Sequence, residues 1–349
     1  MKTRLTFLDN MKGIGIILVI LGHISYNQGL TTWIYSFHMP LFFIISGFLF
    51  YSSSKINYIR KRMYSILIPY FFFSLLSFVY WLVIESSIRG GNNNIALTFL
   101  GIFSAQSGGN YVFNIVLWFL PCLLMTESIF YLINKYCSRF LAPIVLFISV
   151  IGYFNSILNP VRLPWGLDIA MIALSFYGIG FYASKYSSKL YNLNGLQKKQ
   201  KLGLFLILLM LSIYLCQMNG RVDMSSNYYG HIVLFYTGGL VGTLIIYLIS
   251  ISIRPKVLER SLVFLGVNSL IIMCTHEPIK RICIKVLSII FKVDMNLIRT
   301  NYIYEILVLC LVMTFLIPVI YIINNKLPFL LGRGKRKLNL GVNKLVWKR

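Results

Sequence analysis

The chain has 349 residues, of which 58% are hydrophobic and only 12% are charged, and its mean hydropathy is +0.76. Soluble domains carry about 25% charged residues, so this composition excludes an ordinary soluble protein and predicts a polytopic membrane protein. The formal net charge is +24. The Lys and Arg residues punctuate the apolar runs and do not form one patch with interleaved aromatic residues, which argues against a nucleic-acid partner. No stretch is long and polar enough for a separate soluble domain. We therefore predict a single transmembrane domain over residues 1–325 and a basic cytoplasmic tail over residues 326–349.

The predicted fold class is all-α, with about ten transmembrane helices, because a spanning helix needs roughly 20 apolar residues. The ten apolar runs are residues 11–28, 33–52, 64–84, 111–133, 140–158, 166–184, 202–218, 229–253, 261–279 and 302–324. Two further runs are too short to cross a bilayer. Residues 95–103 predict a half-span or re-entrant turn, and residues 282–291 predict an interfacial helix.

The distribution of basic residues predicts the orientation. With a cytoplasmic N-terminus, most of the 33 Lys and Arg residues lie in cytoplasmic segments, as the positive-inside rule requires. Both termini are then cytoplasmic. Residues 280–299 are discordant, because they place five basic residues on the outer side. Either they form an outer amphipathic segment near an anionic ligand, or the span count is wrong by one at this point.

Ionisable side chains inside spans are costly and are therefore candidates for function. They are Lys12, His23, His38, Glu127, Glu305, His276 and Glu277. Lys12 and His23 are eleven residues apart. This spacing is close to three helical turns, so both lie on one helix face with roughly 16 Å between their Cα atoms. If residues 27–32 form a short link between two helical spans, His23 and His38 lie at comparable depth.

The first fifty residues resemble a known family. Leu-Asp-Asn-Met-Lys-Gly at 8–13, Leu-Gly-His at 21–23 and Phe-His-Met-Pro-Leu-Phe-Phe-Ile-Ile-Ser-Gly at 37–47 are similar to the opening of the acyltransferase-3 family. The chain is most similar to the fucose-O-acetylase-like branch, which O-acetylates sugars of bacterial surface glycans. The family motif is an arginine and a histidine separated by ten residues. Here Lys12 stands in the arginine position and His23 matches the histidine. A lysine does not form the bidentate fork that an arginine offers to a phosphate or carboxylate.

The resemblance implies an enzyme of the bacterial cytoplasmic membrane. It would transfer an acyl group, expected to be acetyl from cytoplasmic acetyl-CoA, to a sugar hydroxyl of a surface polysaccharide or its lipid-linked precursor. His23 would act as general base or as a transient acyl carrier. His38 would act as a second base or orient His23, and Lys12 would contact a phosphate of coenzyme A. The alternatives are a hydrogen-bonded helix-end role for His38 and snorkelling to the interface for Lys12.

A basic segment, Arg60-Lys61-Arg62, precedes the third span and resembles a second family feature. It makes Arg60 and Arg62 candidates for binding the acetyl-CoA phosphates. Anchoring of the span on the cytoplasmic side is the equally weighted alternative.

Two later signatures also resemble the family, residues 117–121 and residues 266–270 leading to His276. They make Trp118, Glu127 and His276 candidates for contact with the substrate. The alternatives are a Trp of the interfacial belt, a Glu paired with a basic group or protonated, and a His with a structural role at a helix end.

Two rival functions remain. A polysaccharide polymerase or flippase would have a similar number of spans, but we would expect large loops or charged cavity linings in several helices. A non-catalytic membrane scaffold would not depend on His23. The six cysteines lie singly, without a metal-ligand or disulfide spacing, so no metal is expected.

Overall fold

The computed structural model describes residues 5–50, 57–86, 94–106, 111–158, 161–186, 195 and 197–332. Within these ranges the secondary structure is helical, apart from isolated bridge residues such as the antiparallel pair Asp223 and Tyr228. The helices are α1 (Thr6–Ile24), α2 (Gln28–Tyr35), α3 (His38–Phe48), α4 (Asn57–Tyr80), α5 (Ile95–Ser104), α6 (Phe119–Tyr136), α7 (Leu141–Leu158), α8 (Leu167–Lys185), α9 (Lys198–Asn219), α10 (Ile232–Ser252), α11 (Lys256–Val267), α12 (Ser269–Phe291), α13 (Met295–Thr300) and α14 (Tyr302–Lys326).

In the described part of the chain, eight helical segments are long and apolar enough to cross a membrane. Helices α11 and α12, bent by 81° at their junction, add a ninth if the pair is one span. The prediction of an all-α polytopic membrane protein is confirmed. The cytoplasmic placement of both termini stays a prediction, and residues 333–349 of the predicted tail lie outside the described residues.

Burial separates the helices that face lipid from those of the interior. The segments differ in the buried share of an 18-residue apolar stretch in each. It is only 22% in the α7 segment, 17% in α9 and 28% in α14, but 72% in the α6 and α8 segments. Exposed apolar surface on this scale is stable only where another apolar phase covers it. Helices α7, α9 and α14 therefore form a lipid-facing periphery around α1, α6 and α8.

The predicted second span, residues 33–52, is not one continuous helix. Asn27 caps α2 by accepting a hydrogen bond from the Leu30 amide at 3.2 Å, so the predicted link at 27–32 lies mostly inside a helix. The chain breaks after Tyr35 and restarts as α3 at His38. Pro40 lies in the first turn of α3, where the amide hydrogen that proline lacks would have had no helical partner. Proline therefore favours a new helix start here.

The predicted interfacial helix at residues 282–291 is also wrong as a separate element. These residues continue α12, which passes through Pro278 without ending. The predicted ninth span, residues 261–279, is instead divided at Asn268. The side-chain amide of Asn268 donates to the Phe264 carbonyl at 2.8 Å, and its oxygen accepts from Asn324 at 2.8 Å. These bonds satisfy polar groups exposed by the bend.

Helix α1 is the central element of the bundle and packs closely against α11. A Cβ atom at Gly13 would overlap the Leu262 carbonyl, and one at Gly266 would overlap the Asp9 carbonyl. Two glycines on facing helices thus let the backbones approach to a distance that no larger residue permits. The contact fixes the face of α1 that carries Lys12 and His23.

Candidate active site

A cavity of about 290 Å³ follows one face of α1. Lys12, Ile16, Val19 and His23 line it in turn, so the cavity extends over the three turns that separate the lysine from the histidine. The side chains opposite come from α3, α4, α6 and the start of α12. Among the predicted site residues, His38, Arg62 and Trp118 also line this cavity, whereas Arg60, Glu127 and His276 do not.

At the lysine end, Lys12 forms an ion pair with Asp9 at 2.9 Å. The two residues are three apart on α1, a spacing at which helical side chains meet. Both line the cavity. The pair leaves other ammonium hydrogens of Lys12 available for a second anion, because a lysine carries three.

Arg62 lies at the same end of the cavity and is held by Glu127. Its Nε donates to both Glu127 oxygens at 2.8 Å, and its Nη2 donates to Oε2 at 2.7 Å. Tyr58 donates to Oε1 at 2.5 Å. Glu127 is therefore the buried counter-ion of Arg62 and not part of the cavity wall. In the described part of the chain the Nη1 atom of Arg62 makes no hydrogen bond.

Arg60, the second predicted phosphate ligand of this segment, is exposed. Its guanidinium lies over the Tyr64 ring, 5.8 Å from the ring centre. The structure therefore brings Arg62, but not Arg60, to the cavity that Lys12 lines.

At the other end, His23 lies in the last turn of α1. Its ring centre is 5.6 Å from that of His276 and 6.2 Å from that of Tyr35. Tyr35 in turn lies 4.8 Å from His38. The rings of His23 and His38 are thus bridged by Tyr35, a residue that the sequence analysis did not single out.

The orientation of His38 follows from its hydrogen bond. Its Nδ1 lies 2.9 Å from the Ile34 carbonyl. A carbonyl only accepts, so Nδ1 carries the hydrogen in the neutral ring and Nε2 holds a lone pair. The bond also satisfies a carbonyl at the end of α2, where no further helical donor follows. His38 thus has both the helix-end role and a base nitrogen at the cavity.

His276 is fixed in the same tautomer. Its Nδ1 lies 2.9 Å from the Ile272 carbonyl and 3.0 Å from the Met273 carbonyl. Its Nε2 is buried without a hydrogen-bond partner in the described part of the chain. The ring lies behind His23 as seen from the cavity, so His276 is a neighbour of the candidate base and does not line the space that a substrate would occupy.

Trp118 ends a short 3-10 turn that leads into α6 and is 5% exposed. It lines the cavity and packs edge-on against Phe119, with ring centres 6.1 Å apart. A tryptophan of the interfacial belt lies at the level of the lipid headgroups, whereas Trp118 is buried inside the protein, so the belt alternative is not supported.

A charged network that the sequence analysis missed holds the end of α1. Lys280 donates to the His23 carbonyl at 3.1 Å, and Arg299 donates to the same carbonyl at 2.9 Å. Lys280 is neutralised by Glu277 at 2.8 Å. Arg281 pairs with Glu277 at 3.0 Å and with Glu85 at 2.7 Å. Cations at a helix C-terminus satisfy its last carbonyls and oppose its dipole.

This network also explains the discordant basic segment at residues 280–299. Lys280, Arg281 and Arg299 of this segment form ion pairs or bind the end of α1. Their charges are used inside the protein, so the positive-inside rule does not apply to them. The signal available in the sequence was the spacing of Glu277 to Lys280 and Arg281, at i+3 and i+4 along one helix. The other partners, the His23 carbonyl and Glu85, are too distant in sequence to be predicted from such spacing.

The loop between α9 and α10, residues 220–231, also lines the cavity. Asp223, Met224 and Ser225 of this loop line the cavity. Arg221 lies over the Tyr35 ring, 4.6 Å from its centre. No motif in the sequence distinguished this loop from an ordinary connection.

The helices and the polar residues at their centre define a multi-pass membrane protein with an internal cavity lined by histidine and lysine. A family model described as an acyltransferase domain matches residues 5–323, nearly the whole chain. The protein belongs to this acyltransferase-3 family, whose activity is acyl transfer, and the resemblance inferred from the first fifty residues is confirmed. No curated protein and no solved structure matches the chain.

Proposed function

We propose that this protein is a membrane O-acetyltransferase. It transfers the acetyl group of acetyl-CoA to a hydroxyl of a sugar in a bacterial surface polysaccharide or its lipid-linked precursor. The observation that carries the proposal is the cavity along α1, which is lined by the cations Lys12 and Arg62 and by the histidines His23 and His38. A reaction between a cytoplasmic thioester and a glycan needs a separation of an anion-binding end from a base.

The cations are suited to the acetyl-CoA phosphates. Lys12 and Arg62 line the cavity from two helices, and each keeps hydrogens beyond those used by its carboxylate partner. The distance of roughly 16 Å along α1 from Lys12 to His23 is comparable to an extended pantetheine arm. With the phosphates at Lys12, the thioester carbon would lie near His23. Arg60, at the surface, would attract the donor without holding it.

His23 is the proposed general base. It removes the proton of the sugar hydroxyl as the oxygen attacks the thioester carbon and a C–O bond forms. The resulting tetrahedral intermediate breaks its C–S bond. The imidazolium of His23 then returns the proton to the departing thiolate, so the products are the sugar acetate and coenzyme A.

His38 is proposed to orient the acceptor. Its Nε2 lone pair can accept a hydrogen bond from the sugar, because Nδ1–H is committed to Ile34. Trp118 offers a large apolar wall at the same cavity. His276 supports the position of the His23 ring from behind.

The proposed setting is the bacterial cytoplasmic membrane, with both termini and the lysine end of the cavity on the cytoplasmic side. The lysine end would then meet the soluble acyl donor directly. The acceptor would approach from the side of the α9–α10 loop.

The test is nuclear magnetic resonance of the surface glycan from three strains: a deletion strain, the complemented strain and a strain expressing the His23→Ala protein at the same level. We expect acetyl signals only in the complemented strain, with unchanged glycan chain length. Equal acetylation in all three strains would exclude the proposed function. A change in chain length without loss of acetyl groups would favour a polymerase or flippase, and full activity of the His23→Ala protein would favour a scaffold.

A further inference from the structure

The α9–α10 loop is firmly held in place. Asn219, which directly precedes the loop, binds its far end: the side-chain amide donates to the Tyr229 carbonyl at 3.0 Å, and the side-chain oxygen accepts from the His231 amide at 2.7 Å. Arg162 donates to the Ser225 carbonyl at 3.1 Å. Val222, Met224 and Tyr229 are buried at 3% exposure or less. The loop is thus a fixed wall of the cavity.

Within this wall, the carboxylate of Asp223 has one oxygen committed and one available. Oδ1 accepts from the Ser225 amide at 3.0 Å and from the Ser225 hydroxyl at 2.6 Å. Oδ2 makes no hydrogen bond in the described part of the chain. Asp223 lines the cavity. A half-buried carboxylate oxygen that the protein leaves without a donor is suited to accept one from a ligand.

The surroundings of Asp223 indicate which ligand. Asp223 is two residues from Arg221, whose guanidinium lies 4.6 Å from the centre of the Tyr35 ring, and the Tyr35 ring lies 4.8 Å from that of His38. Asp223 is therefore at the histidine end of the cavity, far from the cations at Lys12 and Arg62. Arg221 supplies a cation at the same end, so the selectivity comes from hydrogen bonding: a carboxylate oxygen accepts from hydroxyl groups, whereas an ionised phosphate has no hydrogen to donate. An uncharged sugar ring, which carries several hydroxyl groups, fits this chemistry.

We propose that the α9–α10 loop is the acceptor-recognition element, and that Asp223 Oδ2 binds a hydroxyl of an uncharged acceptor sugar next to the one that is acetylated. The inference rests on the proposed acetyltransferase function. It makes Asp223 specific to the acceptor, with no contact to acetyl-CoA. Arg221 covers one face of the Tyr35 ring, so a sugar cannot stack on that face.

The test uses Asp223→Asn. The introduced amide keeps an oxygen for the two Ser225 donors, so the loop is retained, but it places an NH₂ group where Oδ2 was. The matched control is Asp294→Asn, because Asp294 is an exposed cap of α13 and Asn is an equally good cap. Each variant is expressed from a titratable promoter at limiting level in the deletion strain. Glycan acetylation is measured as a rate after a pulse of labelled acetate. The binding of radiolabelled acetyl-CoA is measured on the purified full-length proteins.

We expect Asp223→Asn to bind acetyl-CoA as the wild type does, and to acetylate the glycan about tenfold more slowly, as loss of a hydrogen bond to a charged group predicts. Asp294→Asn should match the wild type in both measurements. A wild-type acetylation rate for Asp223→Asn would overturn the inference, and so would a loss of acetyl-CoA binding. If the wild-type gene itself restores no acetyl groups, the proposed function fails. The acetyl-CoA binding data then test separately whether Asp223 contacts the acyl donor.

Discussion

His38 and His276 are each fixed through Nδ1 by a carbonyl four residues earlier, Ile34 and Ile272. The same bond has different consequences at the two sites. At His38 it closes the break between α2 and α3 and leaves Nε2 at the cavity. At His276 it leaves Nε2 buried behind His23. One residue type thus performs a structural and a chemical task through its two nitrogens, as neutral imidazole permits.

This division predicts the behaviour of His38→Asn. The asparagine amide can replace Nδ1–H as the donor to the Ile34 carbonyl but has no counterpart of Nε2. We expect the purified variant to keep its thermal stability to within about 1 kcal/mol, the net contribution of one hydrogen bond. Acetyl transfer should fall by a factor of about 100, because an acceptor that is no longer held by Nε2 loses its alignment with His23 and the thioester. His38→Ala, which loses both functions, is the control and should also be less stable. An active His38→Asn protein would show that Nε2 is not needed.

At the scale of the elements, the end of α1 depends on three other helices. Lys280 of α12 and Arg299 of α13 bind the His23 carbonyl, and Ser25 donates to Glu305 of α14 at 2.7 Å. The position of the His23 ring is therefore set by residues that never meet a substrate. Glu277 makes this possible, because it neutralises Lys280 within the bundle.

Removing one partner of this pair is predicted to be worse than removing both. Lys280→Met leaves Glu277 with one cation fewer and α1 with a weaker cap, so the free energy of unfolding should fall by about 3 kcal/mol. In the Lys280→Met/Glu277→Gln double variant the uncompensated charge is gone, and part of this loss should be recovered. Thermal unfolding of the detergent-solubilised proteins measures both effects. Additive losses in the double variant would mean that the two residues act independently.

The sequence predicted the helices better than their breaks. Lys12, His23 and the apolar residues between them lie on one helix, so their common face follows from the helical period alone. The division of the second span at residues 36–37 and the continuity of α12 through Pro278 were missed. Proline is compatible with a helix start and with a helix interior in a membrane bundle, and neighbouring helices decide between them. The bond from Lys280 to the His23 carbonyl joins residues 257 apart, which no local pattern encodes.

At the scale of the whole molecule, the two ends of the cavity carry different polar residues. The cavity is lined by Lys12 near the start of α1 and by His23 at its end, where His38 and Asp223 also line it. The lysine end is predicted to be cytoplasmic on the basis of the positive-inside rule. Asp223 and Tyr35 completed the candidate site only once the bundle was assembled, because the α9–α10 loop reaches α2 through the fold and not through the sequence.

Cysteine labelling tests this orientation. Cys137 is exposed at the end of α6, between Lys135 and Arg139, whereas Cys122, Cys216, Cys274 and Cys283 are buried. We expect a membrane-impermeant maleimide to label Cys137 only after the cells are permeabilised. A Tyr228→Cys substitution in a Cys137→Ser background places a thiol on the α9–α10 loop and should be labelled in intact cells. Cys310 is exposed on the lipid-facing helix α14, so water-soluble reagent should not reach it. The opposite labelling pattern would invert the bundle in the membrane.

The central claim is that the acetyl group passes from the lysine end to His23 through the cavity along α1. Val19 lines this cavity one turn before His23 and is 5% exposed. The most direct measurement is acetyl transfer by Val19→Trp and Val19→Ala proteins, with radiolabelled acetyl-CoA binding and thermal stability recorded on the same preparations. We predict that Val19→Trp, folded and still able to bind acetyl-CoA, transfers no acetyl group, while Val19→Ala remains active. Transfer at the wild-type rate by a folded Val19→Trp protein would contradict the account.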